Sequence, residues 1–327
     1  MDSRRRALGI AAAAALSPLA RPARAQSAYP DRPVRLVVAF PPGGPTDVVA
    51  RVLAERMARD LGQPVVVENR GGANGNIAAD AVAKAPPDGY TVLYNTSSIA
   101  ISRALYRSLP YDVLGDLRPV ALTAASPLAL VVHPSLPPRD PQGFIAWARA
   151  NSGRVSYSSG GVGNISHLLS FLVLRHIGAE ATHVPYRGTA AALTDTAAGN
   201  VQFTSDTVVT ALPVIQEGRV RAIAVSSAER TPLLPDVPSM AEAGMVPPGF
   251  EVGAWQGILA PARTPPEAVA RLNAAVRAAL ADPEVRARLA AQGARPLGGS
   301  PDDYARYLRA EVERWGRVVA ESGATAE

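Results

Sequence analysis

A chain of 327 residues with 47% hydrophobic content, a formal net charge of +5 and no cysteine excludes disulfide staples and thiol catalysis, and at about 150 residues per domain it suggests two domains. The positive charge does not point to nucleic acid. Residues 1–25 hold five arginines against one aspartate, which leaves the rest of the chain at only +1, with Lys and Arg scattered among acids rather than gathered on one basic face.

In chain order, Arg4, Arg5 and Arg6 precede an apolar run over residues 7–20, and Ala23-Arg24-Ala25 precedes Gln26. This is the charged start, apolar middle and small-residue cleavage site of a secretory signal, removed near Ala25. The run falls short of the roughly 20 apolar residues that span a bilayer, so export to the periplasm is expected rather than a permanent anchor. Ser3-Arg4-Arg5-Arg6-Ala7-Leu8 resembles a twin-arginine signal without its usual Phe and following Lys, which leaves the export route open.

From Val34 onward, short β-branched runs alternate with helical patterns, the signature of an α/β class in which parallel strands are joined by helical crossovers. The pattern predicts strands at 34–40, 65–68, 91–96, 120–124, 128–132, 155–158, 201–204, 222–226 and 257–260. Between the first two, Val49, Val52, Leu53, Met57 and Leu61 recur at helical spacing, with Thr46 or Asp47 available as N-cap and Gly62 as the stop. Late in the chain, Val269, Leu272, Val276 and Leu280 make one apolar stripe. Asp282-Pro283 separates it from a short helix carrying Val285 and Leu289, and Tyr304, Leu308, Val312, Trp315 and Val319 make a further stripe. These helices read as packing elements. The Pro-rich stretches at 134–141 and 232–248 read as ordered connections, and one lobe inserted into the other fits better than two domains in tandem.

Two segments share one design, a strand running into a Gly-rich turn and then a helix. The first is Ala39-Phe40-Pro41-Pro42-Gly43-Gly44-Pro45-Thr46-Asp47; the second runs Ser156-Tyr157-Ser158-Ser159-Gly160-Gly161-Val162-Gly163-Asn164-Ile165-Ser166-His167. Glycine lets a ligand approach the main chain, and the helix that follows offers unpaired N–H groups and the positive end of its dipole. Each turn is therefore a candidate anion seat, and two in one chain favour a carboxylate held between them. No Gly-Lys-Ser/Thr ending marks a P-loop, and Gly161-Val162-Gly163-Asn164-Ile165-Ser166 only half matches a dinucleotide fingerprint. No Gly-x-Ser-x-Gly elbow is present, and His133, His167, His176 and His183 lack metal-ligand spacing. His167 supports its turn or touches a ligand; Asp47 caps its helix or pairs with Arg51.

Further motifs extend the pattern: Tyr29-Pro30-Asp31-Arg32-Pro33 ahead of the first turn, Gly62-Gln63-Pro64-Val65-Val66-Val67-Glu68-Asn69-Arg70, Ala85-Pro86-Pro87-Asp88-Gly89-Tyr90-Thr91, Leu109-Pro110-Tyr111-Asp112, His183-Val184-Pro185-Tyr186-Arg187-Gly188 and Leu234-Pro235-Asp236-Val237-Pro238. From about residue 29 to the end, the chain resembles the tripartite tricarboxylate transporter receptor family, also called the Bug family. The resemblance implies a type II periplasmic binding protein of two α/β lobes with a ligand cleft between them, lobe one being 29–124 plus 226–327 and lobe two 125–225. It implies a non-enzymatic, monomeric receptor without cofactor or metal that captures a small organic carboxylate for membrane transporter subunits.

Carried over by position, the ligand contacts are Pro42, Gly43, Gly44, Pro45, Thr46 and Asp47 in the first turn, and Ser159, Gly160, Gly161, Val162, Gly163, Asn164, Ser166 and His167 in the second. Thr96 and Ser97 join them from lobe one, and Tyr186, Arg187, Gly188, Asp206 and Thr207 from lobe two. Asp206 repels an anion unless it meets a donor group, and otherwise serves as a loop-ordering cap. Two departures from the family pattern bear on the ligand's distal end: residues 98–102 lack the His and Asn often found there, and Asn164 stands where Ser or Thr is common. The alternatives are a periplasmic isomerase or hydrolase using Asp47, His167 or Asp206 as base, and a signalling receptor without a dedicated transporter.

Overall fold

Val34, Leu36 and Val38 point to one face of strand β1 (Val34–Val38) while Val37 points to the other, and all four are buried. This period-two burial on both faces is what a central strand requires. Helix α1 (Pro45–Leu61) lays Val49, Val52, Leu53 and Met57 on the first of these faces. It stops at Gly62, whose left-handed conformation directs its N–H to the Ala58 carbonyl. Its start differs from expectation. Pro45, with its fixed φ and no N–H to lose, begins the helix behind Gly44 as N-cap, and neither Thr46 nor Asp47 takes that position.

The computed structural model describes residues 29–248 and 250–326; the signal expected at residues 1–25 lies outside the described residues. After α1 come β2 (Val65–Asn69), a 3-10 turn (Ala73–Gly75), α2 (Asn76–Ala83), β3 (Thr91–Thr96) and α3 (Ser98–Leu105). Strand β1 pairs in parallel with both β2 and β3. The chain then enters β4 (Leu117–Val132), whose 16 residues were expected as two strands. Pro119 and Pro127 interrupt the sequence pattern because neither donates to a ladder. The strand nevertheless persists, with register shifts at Pro119/Ala121 and Leu122/Ala124 absorbing the mismatch.

Beyond β4 lie α4 (Pro141–Ala150), β5 (Ser156–Ser159), α5 (Ile165–His176), β6 (Thr182–Pro185), α6 (Thr189–Ala197), β7 (Phe203–Thr207), α7 (Val208–Gln216) and β8 (Arg221–Val225). The chain returns through β9 (Gly253–Pro261), α8 (Pro266–Ala281), α9 (Pro283–Ala291), β10 (Arg295–Gly298) and α10 (Pro301–Ser322). The strand order is β2-β1-β3-β9-β4-β7-β5-β6, with β10 and β8 also on β4. Residues 117–127 of β4 pair with β9, whereas 128–132 pair with β7 and β8, so one strand belongs to both halves of the sheet. The sheet is mixed rather than parallel: β3–β9, β4–β9, β4–β7, β4–β8 and β4–β10 are antiparallel. Strands β6 and β10, four residues each and partly exposed, carry too little apolar pattern to have been read from sequence.

The late helices pack as expected. Asp282 ends α8 and caps α9 through its side chain, and Ser300 and Asp303 form a capping box on α10. Glu311 of α10 is buried and accepts both the Trp255 and Trp315 indole N–H groups, at 2.8 and 2.9 Å, which ties α10 to β9.

Candidate functional site: the loops at the carboxyl ends of the parallel strands

In open α/β sheets, ligands bind outside the carboxyl ends of the parallel strands. Six loops occupy those ends here, after β1, β2 and β3 on one side and after β5, β6 and β7 on the other.

The first turn follows β1. Asp47 is 2% exposed and its carboxylate is fully engaged. Oδ2 accepts the Gly43 N–H and Arg51 Nε, both at 2.9 Å, and Oδ1 accepts Asn69 Nδ2 at 2.9 Å. Burial works to raise its pKa, but these partners hold the carboxyl below its ordinary value. Asp47 thus both pairs with Arg51 and orders the turn. What the turn presents outward is main chain: Pro45 has no N–H, and the Thr46 and Asp47 N–H groups head α1 without intrahelical partners.

The second turn follows β5, and most of its N–H groups are held by side chains. Gly160 N donates to Ser166 Oγ at 3.0 Å, Gly161 N to Ser159 Oγ at 3.2 Å, and Gly163 N to His167 Nδ1 at 3.1 Å. Asn164 caps α5 by accepting the Ser166 N–H at 3.0 Å. The Val162 side chain is exposed. Gly163, at φ +70°, lies so close to Leu105 of α3 that a Cβ there would sit 2.3 Å from a Leu105 methyl, which brings this turn against the first half of the molecule.

Beneath the turn, His167 and His183 stack, and Tyr157 stacks on His183 with ring centroids 5.0 Å apart. His183 Nε2 lies 2.6 Å from Ser159 Oγ. Burial, with the adjoining His183 ring, pushes His167 down to about 3, and burial pushes His183 down to about 4. Both imidazoles are therefore neutral at neutral pH, as an Nδ1 that accepts an amide proton must be. A cavity of about 710 Å³ opens beside them, lined by Tyr157, Phe171 and Arg175 among others.

Tyr186 turns its hydroxyl to Asp195 of α6, which pushes the phenol up to about 12. Arg187 is exposed and, among the described residues, takes part in no ion pair. Gly188 caps α6, its N–H donating to Gly160 O at 3.3 Å, so the loop after β6 rests on the second turn. At the end of β7, Asp206 is 2% exposed. Its Oδ1 accepts the Thr207 N–H at 2.7 Å, while Oδ2 is buried without a partner. Burial pushes its carboxyl up to about 7, against the lowering effect of the Thr207 N–H and the Thr189 hydroxyl. Thr207 shares its hydroxyl with Thr210 at 2.7 Å. At the end of β3, Thr96 Oγ1 donates to Ser98 Oγ at 3.1 Å, and the Ser97 N–H is taken by the Trp255 carbonyl at 2.9 Å.

The model of the tripartite tricarboxylate transporter family receptor matches residues 49–324. The chain belongs to that family. BugT of Bordetella pertussis is 41% identical over 298 residues, 90% of this chain and 91% of BugT. Among solved structures, the R. palustris protein Rpa4515 with adipate is 40% identical with a TM-score of 0.81, over 91% of this chain and 99% of that one. MatC from Rhodopseudomonas palustris with bound malate is 40% identical with a TM-score of 0.76, over 89% of this chain and 100% of that one. The fold is that of a type II periplasmic binding protein of the Bug family, two α/β lobes with a cleft between them, and the chain is a solute-binding receptor. Among the described residues, no helix is long and apolar enough to cross a membrane.

One loop of this Bug-family receptor was not singled out from sequence, residues 70–76 after β2. Asn69 ties it to the first turn by donating to the Phe40 carbonyl at 3.0 Å, and Gly71 lies against the Pro41 ring. Ala73 and Asn74 have φ of +46° and +55°, a conformation costly for residues with a Cβ and common at ligand sites. The signal available in the sequence was the Gly71-Gly72-Ala73-Asn74-Gly75-Asn76 run itself, which reads equally well as a plain connection.

Proposed function

We propose that this receptor captures a small organic carboxylate in the periplasm and delivers it to the membrane subunits of a tripartite tricarboxylate-type transporter. The observation that carries this reading is the pair of helix N-termini, α1 and α5, each entered through a glycine turn at a parallel-strand end. Both ends attract anions through the helix dipole, and α1 adds the free Thr46 and Asp47 N–H groups. Bound adipate and malate in Rpa4515 and MatC support the same ligand class. In this reading lobe one is 29–124 plus 226–327, lobe two is 125–225, and the signal is removed near Ala25.

Binding without conversion is the proposed outcome. Asp47 is held ionised by three donors and His167 is committed to the Gly163 N–H, which leaves neither free to take a substrate proton. A thermal-shift panel of dicarboxylates, hydroxy acids and aromatic acids, each at well above micromolar, is expected to stabilise the protein with at least one member. No stabilisation of a folded, ligand-free sample by any of them overturns the reading, and conversion of a bound acid to product overturns the non-enzymatic part.

A further inference from the structure

We propose that the cavity beneath the second glycine turn is a second binding site, separate from the cleft, that takes a compact uncharged molecule carrying a hydrogen-bond acceptor on an apolar or aromatic body. It stands or falls apart from carboxylate capture at the strand ends.

The cavity, about 710 Å³, is of the size that holds small molecules, and its walls set it apart from the cleft. Strands β5 and β6 run parallel, with the glycine turn at their carboxyl ends. Ser152, ahead of β5, and Gly178 and Glu180, ahead of β6, also line the cavity, so it extends along α5 to the opposite ends of those strands. Ser322, the last residue of α10, borders it as well.

Its inner end offers donors. His167 lines the cavity and is 5% exposed. Its Nδ1 accepts the Gly163 N–H, and burial keeps the ring neutral, so its one proton lies on Nε2. That N–H, on the ring edge turned away from the glycine turn, meets no hydrogen-bond partner among the described residues. Tyr157, 3% exposed, lines the same cavity, and its hydroxyl likewise meets no partner among the described residues. One stack of rings holds the two donors together, with the Tyr157 and His167 centroids 6.1 Å apart and His183 packed against both.

The charges point to an uncharged occupant. Arg175, the cation of the lining, is paired with Glu321 of α10, and Glu180 adds a negative charge to the same walls. The donors at the inner end are neutral, so an anion seated there would be desolvated without a countercharge. Phe171 and Leu174 supply apolar wall for the body of the molecule, and the two donors suit a carbonyl oxygen.

The test titrates the protein with acetophenone and benzamide, and with ethylbenzene and benzoate as the apolar and anionic counterparts, while nitrogen NMR follows the His167 ring and the Gly163 amide. Phe171→Trp and Ala181→Leu each fill the cavity from a different wall, and cooperative unfolding checks that each variant folds. Acetophenone and benzamide are expected to shift the His167 Nε2 signal with a Kd of about a millimolar or tighter, and ethylbenzene to bind about fivefold or more weakly. Both filling variants are expected to abolish the shift. No shift at about 10 mM of any probe leaves the cavity to water and overturns the site. A shift that survives in the folded filling variants, or ethylbenzene bound as tightly as acetophenone, overturns it too. Benzoate bound more tightly than benzamide, and lost in the filling variants, overturns the uncharged class.

Discussion

The rings of His167 and His183 lie face to face, with centroids 3.8 Å apart and planes 5° from parallel. One ring accepts the Gly163 N–H and the other lies against Ser159 Oγ, so the pair supports both ends of the second glycine turn from below. Replacing His167 by Ala removes the acceptor and the stacked ring together and is expected to cost about 2–3 kcal/mol in urea unfolding. His167→Phe keeps the stacking and loses only the acceptor, so it should cost less. Equal stability of His167→Ala and wild type would refute the supporting role.

The same rings set a pH dependence. Their folded pKa values, about 3 and about 4, lie below the unfolded value of 6.5, so the unfolded chain binds more protons between these limits. The stability contributed by the neutral rings is complete above about pH 6.5 and is lost as pH falls toward 4. A His167→Phe/His183→Phe double variant should show a flatter fall in melting temperature over this window than wild type.

Asp206 acts with the opposite sign. Its folded pKa of about 7 exceeds the ordinary value of 3.8, so the folded state holds the extra proton, and stability declines as pH rises from about 4 through 7. Asp206→Asn, which imitates the protonated acid, should gain on wild type between pH 5 and pH 8 by on the order of 2–4 kcal/mol without ligand. A stability difference that stays constant with pH would place the titrating group elsewhere.

Gly43 and Gly163 separate conformational strain from collision. Both have positive φ, +80° and +70°, but a Cβ at Gly43 meets nothing within 4 Å while one at Gly163 meets Leu105 at 2.3 Å. Gly43→Ala should cost about 1 kcal/mol and Gly163→Ala about 3 kcal/mol or more. Adding Leu105→Ala should restore part of the second loss and none of the first, as judged by denaturant midpoints.

Asp47→Ala removes the acceptor for Gly43, Arg51 and Asn69 together and should cost about 2–4 kcal/mol. Because the folded pKa is lowered, the Asp47 contribution is present above about pH 4 and is lost as pH falls below it. The gap in stability between wild type and variant should therefore narrow as pH falls below about 4.

Where hydrophobic period and turn chemistry agreed, the fold was legible. Strand β3 was read to the residue from a short run bounded by turn and helix signals, and Gly62 ended α1 because a left-handed stop is what glycine supplies. Local pattern failed where long-range pairing decided. Pro119 and Pro127 look like breaks until β9 is present to pair around them, and the antiparallel course of β9 is a property of sheet order that no single segment encodes. At the site, the glycine turns and Asp206 were visible as residues, but their bonding was not. The commitment of Asp47 to Asn69, of Tyr186 to Asp195 and of Ser97 to the Trp255 carbonyl depends on neighbours distant in the chain.

The length of β4 bears on how the cleft opens. Because one hydrogen-bonded strand is shared by both halves of the sheet, with Pro127 opposite Gly253 on one side of the changeover and Leu128 opposite Thr207 on the other, the lobes do not swing on a slack tether. Any rotation between them is stored as torsion in a stiff ribbon held by neighbours on both edges.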